Sequence, residues 1–158
     1  MAQAPAIALY QPDIALNTGA ILRMGACLGV PVHVIHPTGF PFSRAALRRS
    51  GMDYLEHVDL VEHSGFGAFR TWMKAHGRRL ILLTTHGATS AYAARYTPQD
   101  VIMVGRESAG VPDDVAQEAA LRLRIPMRQE VRSLNVAMAA AIVLGEALRQ
   151  TEGFEGLS

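Results

Sequence analysis

Three short segments carry the side chains whose types and spacing could do chemistry: NTGAILR (17–23), VGRESAGVP (104–112) and IPMRQEVRSLN (125–135). They bring amides at Asn17 and Asn135, a carboxylate at Glu107, a hydroxyl at Ser133 and guanidinium groups at Arg23, Arg106, Arg128 and Arg132. Such groups hold and orient a polar ligand through hydrogen bonds and charge. Each segment alone has an ordinary explanation: a helix cap, a glycine loop, a helix start. Their coincidence in one chain is much more specific.

Other chemistries lack their residues. No GxGxxG follows the first apolar run, so a dinucleotide oxidoreductase loses its main support, and no GxxxxGK[ST] offers a triphosphate cradle. The six histidines (33, 36, 57, 63, 76 and 86) show no paired metal spacing, so no metal site is expected. Cys27 is the single cysteine and sits in an apolar helical pattern, which reads as a small core residue rather than a nucleophile. There is no GxSxG elbow for an acyl-transfer serine.

The elements that must position the three segments alternate in type. Strands are predicted at 7–11, 32–37, 55–62, 79–85, 100–105 and 121–126. Between them helices are predicted at 20–29 (capped by Asn17 or Thr18 and ended by Gly29), 43–51, 66–77, 89–95 and from Pro112 to Ala120. This alternation predicts an α/β domain with a mostly parallel sheet flanked by helices. Ligands in such folds bind beyond the carboxyl ends of the strands. That places the site on the loops after 79–85, 100–105 and 121–126, with the turn at 17–23. The last helix runs from Val136 to Gln150, and Glu146 is its only polar residue before Arg149. Its apolar circumference predicts a buried helix, with Ser133 and Asn135 at its start able to satisfy unpaired N–H groups.

At 158 residues the chain fits one domain, 1–158, with 49% hydrophobic and 18% charged residues. That richness in apolar residues points to a buried subunit interface. No run reaches a membrane span, and the N-terminus lacks a secretory pattern, so a cytoplasmic protein is expected. The net charge of +1 announces no nucleic-acid partner. Local charge says more: Arg44, Arg48 and Arg49 cluster, Arg122, Arg124, Arg128 and Arg132 recur, and Lys74 is the only lysine. Forked guanidinium groups suit phosphates, although a solvated face explains the 44–49 group equally well.

Taken together, the segments resemble the SPOUT RNA methyltransferases, in particular their compact 2′-O-methylating branch. Asn17-x-Gly19-x-x-x-Arg23 is similar to the first motif and Gly105-x-Glu107-x-x-Gly110-x-Pro112 to the second. Ile125-Pro126-Met127 followed by Arg132-Ser133-Leu134-Asn135 is similar to the third. Pro37-x-Gly39-Phe40, Leu47-Arg48-Arg49 to Gly51-x-Asp53-Tyr54, and Glu146 to Gln150 extend the resemblance to the minimal members that methylate the tRNA wobble nucleotide. The chain departs from common family residues at Ala20, Arg106, Ala109 and Val131.

The resemblance implies a deep C-terminal trefoil knot, S-adenosylmethionine as cofactor, a homodimer, and tRNA, through its anticodon stem-loop, as partner. It implies cofactor binding by Leu83, Gly105, Ile125, Ser133 and Leu134. Asn17, Glu107 and Asn135 are the polar groups near the reaction, and Arg23 orients the ribose and steadies the oxyanion. The expected reaction is methyl transfer to the ribose 2′-hydroxyl of tRNA position 34. The alternatives are another tRNA or rRNA position, or a non-catalytic RNA-binding dimer.

Overall fold

The computed structural model describes residues 3–49, 53–131 and 133–158. Gly51 and Arg132, both part of the motifs above, lie outside the described residues. Seven strands form one sheet: β1 (Ala6–Tyr10), β2 (Val32–Ile35), β3 (Leu60–His63), β4 (Arg79–Leu83), β5 (Thr89–Ser90), β6 (Asp100–Val104) and β7 (Leu121–Arg124). Their order is β3-β2-β1-β6-β4-β7-β5, and every pairing is parallel. The expected α/β class and parallel sheet are therefore present.

Apart from Arg79 and Asp100 at the first positions of β4 and β6, the central strands are apolar because helices cover both faces. β1 and β6 are buried at all positions. Successive residues of β1 divide between two cores, as a period of two requires. Ile7 and Leu9 face Ile21 and Leu22 of α1 (Ala15–Leu28) and Leu144 and Leu148 of α5 (Val136–Gln150). Ala6, Ala8 and Tyr10 face the other way, toward Phe69 and Met73 of α3 (Phe66–Ala75) and Val115 of α4 (Asp113–Glu118). The short α2 (Arg44–Arg49) buries only Leu47 and leaves Arg44, Arg48 and Arg49 exposed.

Five local expectations are corrected. Cys27, expected in the core, is exposed on α1. The segment 89–95 is not helical: Thr89 and Ser90 pair with Leu123 and Arg124, and Ala91 N–H donates to the Arg124 carbonyl. The outer edge of β7 thus gains hydrogen-bond partners that a helix could not offer, and Ala91, Ala94 and Tyr96 enter the core. The strand expected at 55–62 begins only at Leu60, because Asp53–His57 forms a 3-10 turn. Leu55 and Val58, three residues apart, pack inward from that turn. α1 starts at Ala15, ahead of both proposed caps, and ends at Gly29 in the left-handed region (φ 67°). Ile14 holds its cap position without a side-chain bond, so neither Asn17 nor Thr18 is a cap.

The last correction concerns α5. Only one side of it is buried, through Ala140, Val143, Leu144, Ala147 and Leu148. Met138 is 63% exposed, Ala141 and Ile142 are exposed, and nothing fills the space beside Gly145. The helix end is tied down: Gln150 Nε2 donates to the Ala94 carbonyl (3.1 Å), and Tyr96 N–H donates to Gln150 Oε1 (2.9 Å). No helix among the described residues is long and apolar enough to cross a membrane.

Beneath α3, His33 of β2 and His63 of β3 stack with ring centroids 5.1 Å apart, and their Nδ1 and Nε2 atoms lie 2.9 Å apart. Trp72 and Phe69 close over them. Burial, with positive charge available at His63, Arg78 and His76, holds His33 down at about 3, and burial lowers His63 too. Both are neutral in the fold, whereas an unfolded chain binds their protons near the ordinary histidine value. Stability is then complete above about pH 6.5 and declines as pH falls below it, by about 1.4 kcal/mol per pH unit for His33. Denaturation midpoints measured between about pH 7.5 and about pH 5.5 should drop on acidification, and His33→Gln should flatten that slope. Equal slopes in the two proteins would show that the pair does not carry the dependence.

Candidate active site

A cavity of about 710 Å³ opens at the carboxyl ends of β4, β6 and β7. Its floor is apolar, with Leu82, Leu83, Val104, Ile125 and Leu134. The loop Gly105–Gly110 forms one wall, and the entry to α5 (Ser133 to Val136) forms another. Ile14 and Asn17 reach it from the start of α1. Each wall exists because a parallel strand must end and its chain must turn away to reach the next helix. The volume falls in the range typical of small-molecule sites.

The wall at 105–110 is a tight hairpin, with Arg106 N–H donating to the Gly110 carbonyl and Gly110 N–H to the Arg106 carbonyl. Gly105 permits it: a Cβ there would lie 2.7 Å from the Gly110 carbonyl carbon. Gly110 completes the turn at φ 61°. Arg106 also donates from Nε to the Gly110 carbonyl (2.9 Å), which directs its guanidinium over the Tyr10 ring.

Polar side chains then link the walls. Asn135 Nδ2 donates to Asn17 Oδ1 (2.9 Å), and Asn17 Nδ2 donates to Glu107 Oε1 (3.4 Å). Glu107 Oε2 accepts from Asp13 N–H (3.2 Å), while Glu107 N–H donates to Asp13 Oδ1 (3.1 Å). The Ser108 hydroxyl donates to Asp13 Oδ2. At the same time Asn135 Oδ1 caps α5 by accepting from Ala137 N–H (2.9 Å) and Met138 N–H (3.2 Å). One amide therefore serves the helix with its oxygen and the cavity with its nitrogen. Ser133 has no part in the cap.

The carboxyl pair is unequal. Contact with the Glu107 carboxyl, helped by Ser108 and the Glu107 amide, holds Asp13 down at about 2. Burial raises Glu107, and the Asp13 carboxylate raises it further. Glu107 thus keeps a proton to higher pH than an ordinary glutamate, and its neighbour stays ionised.

Of the residues singled out in the sequence, Asn17, Glu107, Asn135, Leu83, Gly105, Ile125, Ser133 and Leu134 all line this one cavity. Arg23 does not. It stands on the exposed side of α1, with its guanidinium 5.5 Å from the centre of the Tyr54 ring, and the Tyr54 hydroxyl donates to the Gly19 carbonyl. The residue missed in the sequence is Asp13. Its signal was faint: a lone carboxylate after Pro12, in the turn leaving the first strand.

The donor set fits S-adenosylmethionine. The apolar floor suits a purine, and the carboxylates of Glu107 and Asp113 suit a sulfonium cation. Arg106 and Arg122, on the same walls, suit an amino-acid carboxylate. Among the described residues no group of three or more His, Cys, Asp or Glu could hold a metal ion.

Residues 4–145 match the SpoU rRNA Methylase family. The chain is 52% identical over 149 residues to a tRNA (cytidine(34)-2′-O)-methyltransferase of Ancylobacter novellus, covering 94% of each. A solved structure concerned with 2-OH methylation of C/U34 on tRNA superposes with TM-score 0.86 at 40% identity, covering 95% of this chain and 97% of the other. An AdoMet-bound rRNA methyltransferase from Sinorhizobium meliloti superposes with TM-score 0.83 at 27% identity, over 94% of this chain and 57% of the other. With the family matched along nearly its whole length and its motif residues gathered on one cavity, this chain belongs to the SpoU rRNA methylase family.

Proposed function

We propose that this chain transfers a methyl group from S-adenosylmethionine to the ribose 2′-hydroxyl of the wobble nucleotide, position 34, of tRNA. The observation that carries the proposal is the hydrogen-bonded run Asn135–Asn17–Glu107 on the wall of a nucleoside-sized cavity, in a chain so similar to cytidine-34 methyltransferases. S-adenosylmethionine, when bound, would supply a sulfonium-activated methyl group. The ribose oxygen would attack that methyl carbon in line, forming the O–C bond as the S–C bond breaks, with S-adenosylhomocysteine leaving as a neutral thioether and the hydroxyl proton passing to solvent.

The protein's task is to hold the two reactants, and positioning alone lowers such barriers by about 7–11 kcal/mol. Leu83, Gly105, Ile125, Ser133 and Leu134 hold the cofactor. Glu107, Asn17 and Asn135 present their polar atoms at its reactive end. Arg23 orients the ribose and its phosphate and steadies the developing oxyanion, while Arg48 and Arg49 grip the RNA backbone. A single domain, 1–158, performs all of this in the cytoplasm, where tRNA is found.

The working unit is a homodimer. Leu16, 86% exposed, lies with Ala20 and Arg23 on the exposed side of α1, and Met138, Ala141 and Ile142 are exposed on α5, which packs against α1. Exposed apolar side chains on two packed helices suit a two-fold contact. Arg23 then stands at the seam, so that RNA gripped by one subunit reaches the cofactor held by the other. A C-terminal trefoil knot belongs to the same proposal, supported by the match to the SpoU rRNA Methylase family.

Incubation of the purified protein with S-adenosylmethionine and tRNA, followed by nucleoside mass spectrometry, should give 2′-O-methylation at position 34. Methylation confined to another nucleotide, or none at all, would overturn the assignment. Arg23→Ala should lower kcat far more than tRNA affinity. The double variant Arg48→Ala, Arg49→Ala should instead weaken binding and reduce its logarithmic salt slope by about two. Matching losses in both variants would erase the division of labour. For the dimer, Met138→Glu should yield a monomer by light scattering at micromolar concentration and lose turnover with it. A wild-type monomer would contradict the arrangement.

A further inference from the structure

The residue that the family motifs do not include, Asp13, occupies the point where three loops of the site meet. The chain reaches it through Gln11, whose φ of 44° is uncommon for a residue with a side chain. Gln11 N–H donates to the Ile35 carbonyl, and Gly39 N–H donates to the Pro12 carbonyl. The Asp13 Cβ packs against the backbone of Gly39, where an added Cβ would come within 2.8 Å of it. The turn after β1 is thus clamped by the loop after β2, and its geometry is fixed from outside the cavity. Such a conformation persists where surroundings over-determine it, which is common beside working groups.

From this fixed platform Asp13 makes a reciprocal pair of bonds with Glu107. Its N–H holds Glu107 Oε2, and its Oδ1 holds the Glu107 N–H. Its second oxygen accepts from the Ser108 hydroxyl. The loop 105–110 is also closed on itself through Arg106 and Gly110, and Ser108, Ala109 and Gly110 are exposed. Asp13 thus contributes three hydrogen bonds that hold this loop against the start of α1, beside the one from Asn17. The remaining oxygen of Glu107 accepts from Asn17, whose own oxygen takes the amide of Asn135.

We propose that Asp13 is a positioning residue for methyl transfer: by gripping the backbone and carboxyl group of Glu107, it sets where the Glu107–Asn17–Asn135 run presents its polar atoms to the reacting ribose. This rests on the methyltransferase function proposed above. Asp13 acts through Glu107 and need not touch either reactant. It also adds to the effect of burial, which is the larger influence, in raising the Glu107 acid while itself remaining ionised. The other groups joined to this pair, Asn17 and Ser108, do not titrate in the working range. Among the described residues, the other ionisable side chains on the cavity are Arg106, Asp113, Arg122 and His86.

Three variants test this: Asp13→Ala, Asp13→Asn and Asp13→Glu. Asp13→Ala should lower kcat by about a hundredfold, the scale of a misplacement of about 1 Å, with KM for tRNA changed by less than about threefold. Asp13→Glu should recover part of the loss. Asp13→Asn keeps the shape and acceptor oxygen but removes the charge that raises Glu107. Its rate profile should shift its acidic limb to lower pH. Calorimetric titration with S-adenosylmethionine in buffers of different ionisation enthalpy gives a readout apart from turnover. Proton exchange on binding at mildly acidic pH should be smaller in Asp13→Asn than in wild type.

Wild-type kcat in Asp13→Ala would overturn the proposal. So would an Asp13→Asn protein whose pH profile and proton exchange match wild type, even if Asp13→Ala fails to fold. A loss of kcat matched by an equal fall in melting stability, unrelieved in Asp13→Glu, would reduce Asp13 to a structural brace and also overturn it. If wild type itself methylates no tRNA, the function proposed above fails instead, and the proton-exchange comparison still reports on the Asp13–Glu107 pair.

Discussion

Three segments far apart in the chain meet through a few side-chain hydrogen bonds, and the site depends on that stitching. Glu107 lies 94 residues from Asp13 and 90 from Asn17, and Asn135 lies 118 from Asn17. A parallel sheet delivers loops to a common edge but does not orient them toward one another. Orientation comes from groups that cannot be left unpaired in a partly buried cleft. The Asn135 amide shows the economy of the arrangement: its oxygen closes the end of a helix while its nitrogen faces the cavity. Helix geometry and site geometry are then a single constraint.

That constraint accounts for what the sequence made legible. The buried strands 79–85 and 100–105 declared themselves by unbroken apolar runs, because helices cover them on both faces. Gly29 was visible as a helix end, since a left-handed residue there has a strong glycine preference. The cavity loops followed from strand direction alone. Eight of the residues marked from motifs line one cavity, because their spacing coincides with the ends of β4, β6 and β7 and the start of α1 and α5.

What stayed hidden was tertiary. Asn17 carries the side chain of a cap, but its bonds go across the cleft rather than to its own helix. Leu55 and Val58 are three residues apart, a spacing that puts them on one side of a turn but on opposite faces of a strand, and both join the core that α1 lines. Thr89 and Ser90 become a strand because β7 has an edge to satisfy, a demand created more than thirty residues later in the chain. The apolar circumference of α5 hid which side meets its own core. A single chain covers one side only, and composition does not distinguish an intramolecular neighbour from a second copy. Asp13 was invisible for a related reason: one carboxylate after a proline carries no periodicity, and its importance lies in a loop 94 residues away.

The fastening of Gln150 to Ala94 and Tyr96 has a consequence for how the molecule is made. α5 follows every strand in the order of synthesis, yet it supplies one wall of the cavity and the amide that completes the cross-cleft run. A ribosome-bound chain that has built all seven strands still lacks a finished pocket. The pocket is complete only when the final helix is in place, and the two hydrogen bonds of Gln150 fasten that helix there. A chain ending before Ser133 would lack that wall and the Asn135 amide, however complete its sheet.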